Sequence, residues 1–293
     1  MEPVQQTLDH LLKVLVCTGC GRGGLSFESG TECIVCSGCG KRHPVINGVP
    51  CFVPDELVNY SEVDEAVRPA FLEAKRLAYS GNSFINRMYN HYHHYAATQR
   101  LKISSLPLSL DIGCGMGEHY PFITERELAE GSYIGVDLDR FKLEHLSACH
   151  PEIPLVQGNV FTLPFPNEKF DLVQLLATLE HFGRNDIDRV LDESLRVLKP
   201  GGKLIACYPA EGGILLKTGQ VLMHALIRLR SGFDLNNEKI HCHLSTASEI
   251  GQILENRDDL EHVETNYYPF GIPSINVSLF VNRVYLKNRV QVL

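Results

Sequence analysis

The sequence predicts an α/β domain, a parallel sheet with helices on both faces, standing behind a small cysteine-rich module. Three observations carry that reading. From Leu106 onward short apolar runs alternate with helical stretches: LSLDIG, SYIGVDL, PLVQGNV, FDLVQLLA and, after the Pro200-Gly-Gly turn, KLIACYP. Such alternation is what strands joined by crossover helices produce. The first of these runs breaks into alternating glycines at Gly113, Gly115 and Gly117, which let a strand turn sharply and let backbone approach a ligand closely. Near the start of the chain stand two C-x-x-C-Gly knuckles.

At 293 residues the chain is long enough for a full α/β core and an extra module. With 27 basic and 35 acidic side chains its formal net charge is −8, which argues against a broad phosphate-binding surface. Extended nucleic-acid binding is therefore not expected. The first sixteen residues hold acids, no basic leader and no small-residue cleavage site, and no apolar run reaches the length of a bilayer span. The expectation is a cytoplasmic protein with reduced thiols.

Leu8, Leu11, Leu12 and Leu15 recur at helical spacing and predict an amphipathic helix leading into the cysteine module. There Cys17, Cys20, Cys36 and Cys39 form two pairs separated by fifteen residues, a spacing that reads as a four-thiolate structural zinc site. Such a closed site leaves no position for water, so the Zn2+ has no catalytic task. Cys33 lacks a following glycine and is read as a spare. Asn47-Gly48 between apolar residues predicts a hairpin turn.

Residues 55–105 read as helices; within them Tyr89-Asn-His-Tyr-His-His-Tyr95 offers three imidazoles, of which only His91 and His94 share a helical face. In the sheet domain, Asp111 stands two residues before the first glycine, and about twenty residues beyond the last glycine a second strand ends at Asp137. A carboxylate there can accept both hydroxyls of a ribose. Between Pro209 and Ser231 an Ala-Glu-Gly-Gly hinge precedes ILLKTGQVLMHALIRLR, which reads as a lid or pocket wall, with a dimer surface or an interfacial membrane helix as alternatives. Lys217, Arg228 and Arg230 permit the last of these. The stretch from Ser245 to Glu249 opens a helix, with Ser245 expected as its N-cap.

The order of these motifs, continued by Gly158-Asn-Val, by the run Leu163 to Val173, by Leu179-Glu-His-Phe182 and by Arg196-Val-Leu-Lys-Pro-Gly-Gly202, resembles the class I S-adenosylmethionine-dependent methyltransferases, in the branch that includes ubiquinone-type and small-molecule enzymes. The resemblance covers roughly residues 105 to 210 and implies a Rossmann-like, doubly wound, mostly parallel sheet of seven strands, the last antiparallel. His262 to Tyr268 and Ser278 to Lys287 are the candidate closing pair. It further implies that Gly113, Gly115 and Gly117, with Asp111, hold the methionine part of S-adenosylmethionine. Asp137 with Leu138 then holds the ribose, Asn159 with Val160 meets the adenine, and Ala177 lines the site. Asn159 departs from the family's usual Asp; its carbonyl can still accept from the adenine amino group. The segment Lys41 to Pro54 is similar to the zinc ribbon found ahead of some bacterial methyltransferases.

The chain accordingly divides into a zinc-ribbon module at residues 1–55, a helical linker and cofactor cover at 56–105, and a methyltransferase domain at 106–293 with a lid-like insertion at about 209–245. His243 and His181 are the candidate bases for an acceptor that must lose a proton. The expected acceptor is a small or medium organic molecule, natural product or lipid-like, and a homodimer is compatible with the apolar 214–230 stretch. The rival readings are an RNA methyltransferase whose ribbon holds RNA, and a non-methylating protein, scaffold or cyclase, on the same fold.

Overall fold

The computed structural model describes residues 2–79, 107–117, 132–231 and 243–289. The Tyr89–Tyr95 run lies outside them. Helix α1 (Glu2–Leu12) and the turn after it bury Leu8, Leu11 and Leu15, as the sequence pattern predicts. An antiparallel sheet follows in the order β1 (Leu25–Glu28), β2 (Cys33–Cys36), β3 (Arg42–Ile46), β4 (Val49–Pro50). Asn47 and Gly48 both adopt left-handed backbone, φ 52° and 81°, the requirement of the tight hairpin turn joining β3 to β4. Phe52 extends this sheet toward the main domain through its N–H to the Gln157 carbonyl, 2.8 Å.

After helix α2 (Arg68–Tyr79) comes the seven-stranded sheet: β5 (Ser109–Ile112), β6 (Tyr133–Asp137), β7 (Leu155–Gln157), β8 (Phe170–Leu176), β9 (Leu198–Pro209), β10 (Leu260–Tyr268) and β11 (Phe280–Lys287). Its order is β10-β11-β9-β8-β5-β6-β7, parallel except for β11, which runs antiparallel to both neighbours. The closing pair is the one expected. Helix α3 (Arg140–Cys149) covers one face, packing Leu143 and Leu146 with Tyr133 and Leu155. On the other face α4 (Arg184–Val197) lays its Ile187, Val190, Leu191, Leu195 stripe on Ile134, Val136 and Val173. Because side chains alternate along a strand, Leu172 and Leu176 join a separate cluster from Val173 and Leu175. The sheet reverses direction of growth between β5 and β8, and their carboxyl ends define the crevice where ligands bind in such folds.

Beyond β9 lie helix α5 (Ile214–Ser231) and helix α6 (Ala247–Glu255). The N-cap of α6 is Thr246, not Ser245. Thr246 stands three residues before Glu249 and closes a reciprocal capping box with it, which Ser245 is one residue too early to do. Ser245 instead donates to the Phe182 carbonyl, 2.7 Å, tying α6 to the end of β8. Replacing Thr246 by Ala is expected to cost about 1 kcal/mol in chemical denaturation, and an unchanged midpoint would remove the box from the account of α6 stability.

Candidate functional site

At the end of β5 the three glycines all take left-handed backbone, with φ of 77° at Gly113, 57° at Gly115 and 77° at Gly117. Space is the second constraint. A Cβ on Gly113 would sit 2.6 Å from Thr178 Oγ1, and one on Gly117 would run into Leu146. Thr178, the second residue beyond β8, donates to the Ile112 carbonyl at 2.9 Å and so stitches the two strand ends that bound the crevice.

Asp137, the last residue of β6, turns its carboxylate into this loop. Its Oδ2 accepts from Gly115 N at 2.8 Å and its Oδ1 from Asp139 N at 2.8 Å. Burial pushes the carboxyl up from the ordinary range, against the opposing pull of Lys142 and of these two backbone N–H groups. Neighbouring Asp139, 1% exposed, caps α3 and accepts from the Glu62 backbone N–H at 2.9 Å. Lys142 reaches Glu62 at 2.5 Å. The segment after the cysteine module is thereby fastened over the end of β6. Gln157 adds to this, donating from Nε2 to the carbonyls of Leu57, Val58 and Leu138 at 3.0–3.2 Å. None of Glu62, Lys142 or Gln157 is singled out by the sequence pattern.

Asn159 lies beside Asp137, because Gly158 N donates to the Asp137 carbonyl at 2.9 Å. Its Oδ1 accepts from Phe161 N at 3.0 Å, an Asx turn that fixes the side chain, and Val160 packs half-buried against the core. Ala177 sits exposed just past β8 at φ 54°. Asp111 is placed differently: 1% exposed, it accepts from the Tyr133 hydroxyl at 2.7 Å within the sheet, so it braces β5 against β6 from below the loop.

Across the crevice, the turn Leu179–His181 after β8 and the segment entering α6 bring a second set of groups together. His181 and His243 stack edge-to-face, ring centroids 5.2 Å apart. His243 Nδ1 lies 2.5 Å from Glu211 Oε1, and Gln220 Nε2 donates to the same oxygen at 2.9 Å. Glu180 is 1% exposed, and burial pushes its carboxyl up to about 7. Burial alone would lower the His243 imidazolium, but the Glu211 hydrogen bond and the charges of Glu180 and Glu211 prevail and raise it. The hydrogen bond from His243 holds Glu211 below the usual carboxylate range. The two histidines expected from the sequence thus meet, with two carboxylates that the sequence did not reveal.

In the N-terminal module the sulfurs of Cys17, Cys20, Cys36 and Cys39 all lie within 4.8 Å of one another, with Cys17–Cys39 and Cys20–Cys36 each at 3.6 Å. A tetrahedral ion bound at about 2.3 Å from sulfur requires sulfurs about 3.8 Å apart, so the four residues fit a metal. Gly19 N donates to Cys17 Sγ at 3.3 Å. His43, buried and stacked on Phe52, places Nε2 3.4 Å from the same sulfur. Burial, with Lys41 nearby, pushes its imidazolium down to about 4, so the neutral ring can donate to a thiolate. Cys33 stays outside the cluster, as expected.

Residues 110–206 match the family model described as a methyltransferase domain. The chain is 35% identical over 124 residues to the phthiotriol/phenolphthiotriol dimycocerosates methyltransferase of Mycobacterium leprae, a match covering 41% of this chain and 43% of that protein. It is 31% identical over 112 residues to the demethylmenaquinone methyltransferase of Lactobacillus johnsonii, covering 36% and 45%. The chain thus spans less than half the length of these relatives. Among solved structures the PH0226 protein from Pyrococcus horikoshii OT3 superposes with a TM-score of 0.54 at 15% identity, over 74% of this chain and 98% of that one, which shows a shared fold. By sequence, residues 110–206 thus resemble methyltransferase domains.

Proposed function

We propose that the chain is an S-adenosylmethionine-dependent methyltransferase acting on a small or medium organic acceptor with a lipid-like body. The observation that supports it most is the carboxylate of Asp137 aimed into the glycine loop, 2.8 Å from Gly115 N, at the carboxyl end of the strand next to β5. In this reading Gly113, Gly115 and Gly117 give the methionine portion close access to backbone, while Asp111 holds the strand that presents them. Asp137 accepts the ribose hydroxyls, Asn159 meets the adenine, and Leu138, Val160 and Ala177 supply flanking surface. The bound cofactor supplies an electrophilic methyl on a positively charged sulfur.

The reaction needs alignment and the loss of one proton: the acceptor X–H bond breaks, an X–CH3 bond forms, the sulfonium leaves as a thioether and the proton goes to a base. In this reading His243, oriented by Glu211, and His181 are the groups that take that proton. A lipid-like acceptor suits α5, whose Val221, Leu222 and Leu229 are exposed, and the relatives named above act on lipid-like molecules by name. No helix among the described residues is long and apolar enough to cross a membrane. Residues 1–55 act as a ribbon around structural Zn2+, 56–105 as a cover, and 209–245 as a lid.

The test is calorimetry with S-adenosylmethionine, followed by transfer of isotopically labelled methyl to a panel of hydroxylated lipids. One cofactor per chain and a labelled product are expected; absence of cofactor binding overturns the proposal. Replacing His243 or His181 by Ala is expected to lower turnover about a hundredfold with cofactor affinity unchanged. Unchanged turnover in both variants removes the histidines from the chemistry.

A further inference from the structure

Among the described residues only one group besides the four cysteines brings metal-ligating atoms together: a carboxylate oxygen of Glu180 and one ring nitrogen each of His181 and His243, all within 4.8 Å of one another. We propose that these three side chains form a second metal site, for a divalent first-row transition ion, at the acceptor side of the crevice, with Glu211 orienting His243. Two imidazoles and one carboxylate are a ligand set suited to such an ion and leave coordination positions open. A cation about 2.1 Å from each donor brings the donors to roughly 3–3.5 Å of one another, so side-chain movements of about 1 Å complete the site.

The buried carboxylate is the independent observation. Glu180 is 1% exposed, and its Oε2 has no hydrogen-bond partner. A carboxylate oxygen removed from water without a donor is costly, and a bound cation is a group that satisfies it. Among the described residues no lysine or arginine is ion-paired to Glu180 or Glu211, and His243 is the cationic group that faces both. His243 supplies the third argument. Its Nδ1 lies against Glu211 Oε1, and a carboxylate on one ring nitrogen is the usual way an imidazole that ligates through the other is oriented.

The backbone holds the two stretches in register. Leu244 N and Ser245 N donate to the Glu180 carbonyl at 2.7 and 3.3 Å, so His243 is fixed to the turn that carries Glu180 and His181. A metal here would receive an acceptor oxygen in an open position and stabilise its deprotonated form, the hydroxyl proton passing to solvent water, which specifies the acceptor class as a molecule presenting a hydroxyl, or a hydroxyl beside a carbonyl. That last step rests on the methyltransferase reading; the site itself does not. When the ion is bound, the imidazole lone pairs hold it, and its charge assists deprotonation in their place.

The experiment adds Co2+ to wild-type protein loaded with one equivalent of zinc, enough for the four-cysteine site alone, and follows visible absorption. One further equivalent is expected, with ligand-field bands of a nitrogen and oxygen site and no thiolate-to-cobalt charge transfer. His243→Ala, His181→Ala and Glu180→Gln are each expected to weaken that binding at least tenfold, and Glu211→Gln by about 10–100-fold. Calorimetry with S-adenosylmethionine on each variant reports folding; His181, on a turn at the surface, provides the variant least exposed to misfolding. Cobalt that enters only with thiolate bands overturns the site, as does equal affinity in wild type and His181→Ala. Either result means that Glu180, His243 and Glu211 merely share protons. Cobalt binding without methyl transfer sinks the functional reading and leaves the site, whereas methyl transfer without cobalt binding does the reverse.

Discussion

Stripping the metal from the N-terminal module, or replacing Cys36 with Ser, is expected to melt residues 17–43 while the main sheet stays folded. The argument is one of core size. Within the module β1 and β2 bury little beyond Ile34 and Cys36, and a sheet this small does not fold on hydrophobic burial alone. Structural zinc in such modules binds with an apparent free energy of about 10–16 kcal/mol near neutral pH, and that binding is the folding energy. Without the ion, the buried His43 would face a sulfur that no metal holds in place. Disruption should stop near β4, because the Phe52 N–H is hydrogen-bonded to the Gln157 carbonyl of the main sheet. Elemental analysis should find one zinc in the four-cysteine site, and hydrogen exchange after chelation should show lost protection at Ile34 and Val35 with retained protection in β5 and β8. A protein that holds no metal, or whose β2 amides exchange equally slowly after chelation, contradicts this account.

What could be read from the chain before folding was whatever is encoded locally. The knuckles, the Asn47-Gly48 turn and the strand sequence from Leu108 to Pro209 are each specified by neighbours a few residues apart, and the structure has them where the spacing puts them. His181 and His243 were visible as motif residues, but their partners were not. Glu180 and Glu211 are two of many acids, and only the juxtaposition of the β8 end, the β9 end and the approach to α6 makes them a cluster. Asp111 shows the complementary failure. Its position in the motif was plain, yet its partner, Tyr133, follows from the register of β5 on β6, which pairs Ser109 with Tyr133 and Asp111 with Gly135. The Ser245 expectation failed by a single residue for a local reason, since the choice between adjacent hydroxyls is made by which one reaches Glu249.

Replacing Asp137 by Ala should weaken S-adenosylmethionine binding about a thousandfold, and replacing Gly113 by Val should do so at least as strongly. For Asp137 the estimate starts from the hydrogen bonds to an ionised acceptor, worth about 1.5–3 kcal/mol each. Two to the ribose amount to roughly 3–6 kcal/mol, or 10²–10⁴ in affinity. The same substitution releases Gly115 N–H and Asp139 N–H, so the loop loses its support as well as the ligand its anchor. Asp137→Asn separates the two, because the amide oxygen can keep one backbone bond while the charge is gone. It should fall between wild type and Ala. The pH dependence has a definite sign: the ionised carboxylate binds, and burial raises its pKa, so affinity should fall on acidification at a pH above that expected for an exposed aspartate, and Asp137→Asn should flatten that limb. Gly113→Val acts through shape. A side chain there meets Thr178 Oγ1 at 2.6 Å and must also adopt φ 77°, which β-branched residues avoid, so the bend opens and β5 parts from β8. Calorimetry of wild type and the three variants decides the matter, and an Asp137→Ala protein that binds the cofactor within tenfold of wild type would show that the ribose is held elsewhere.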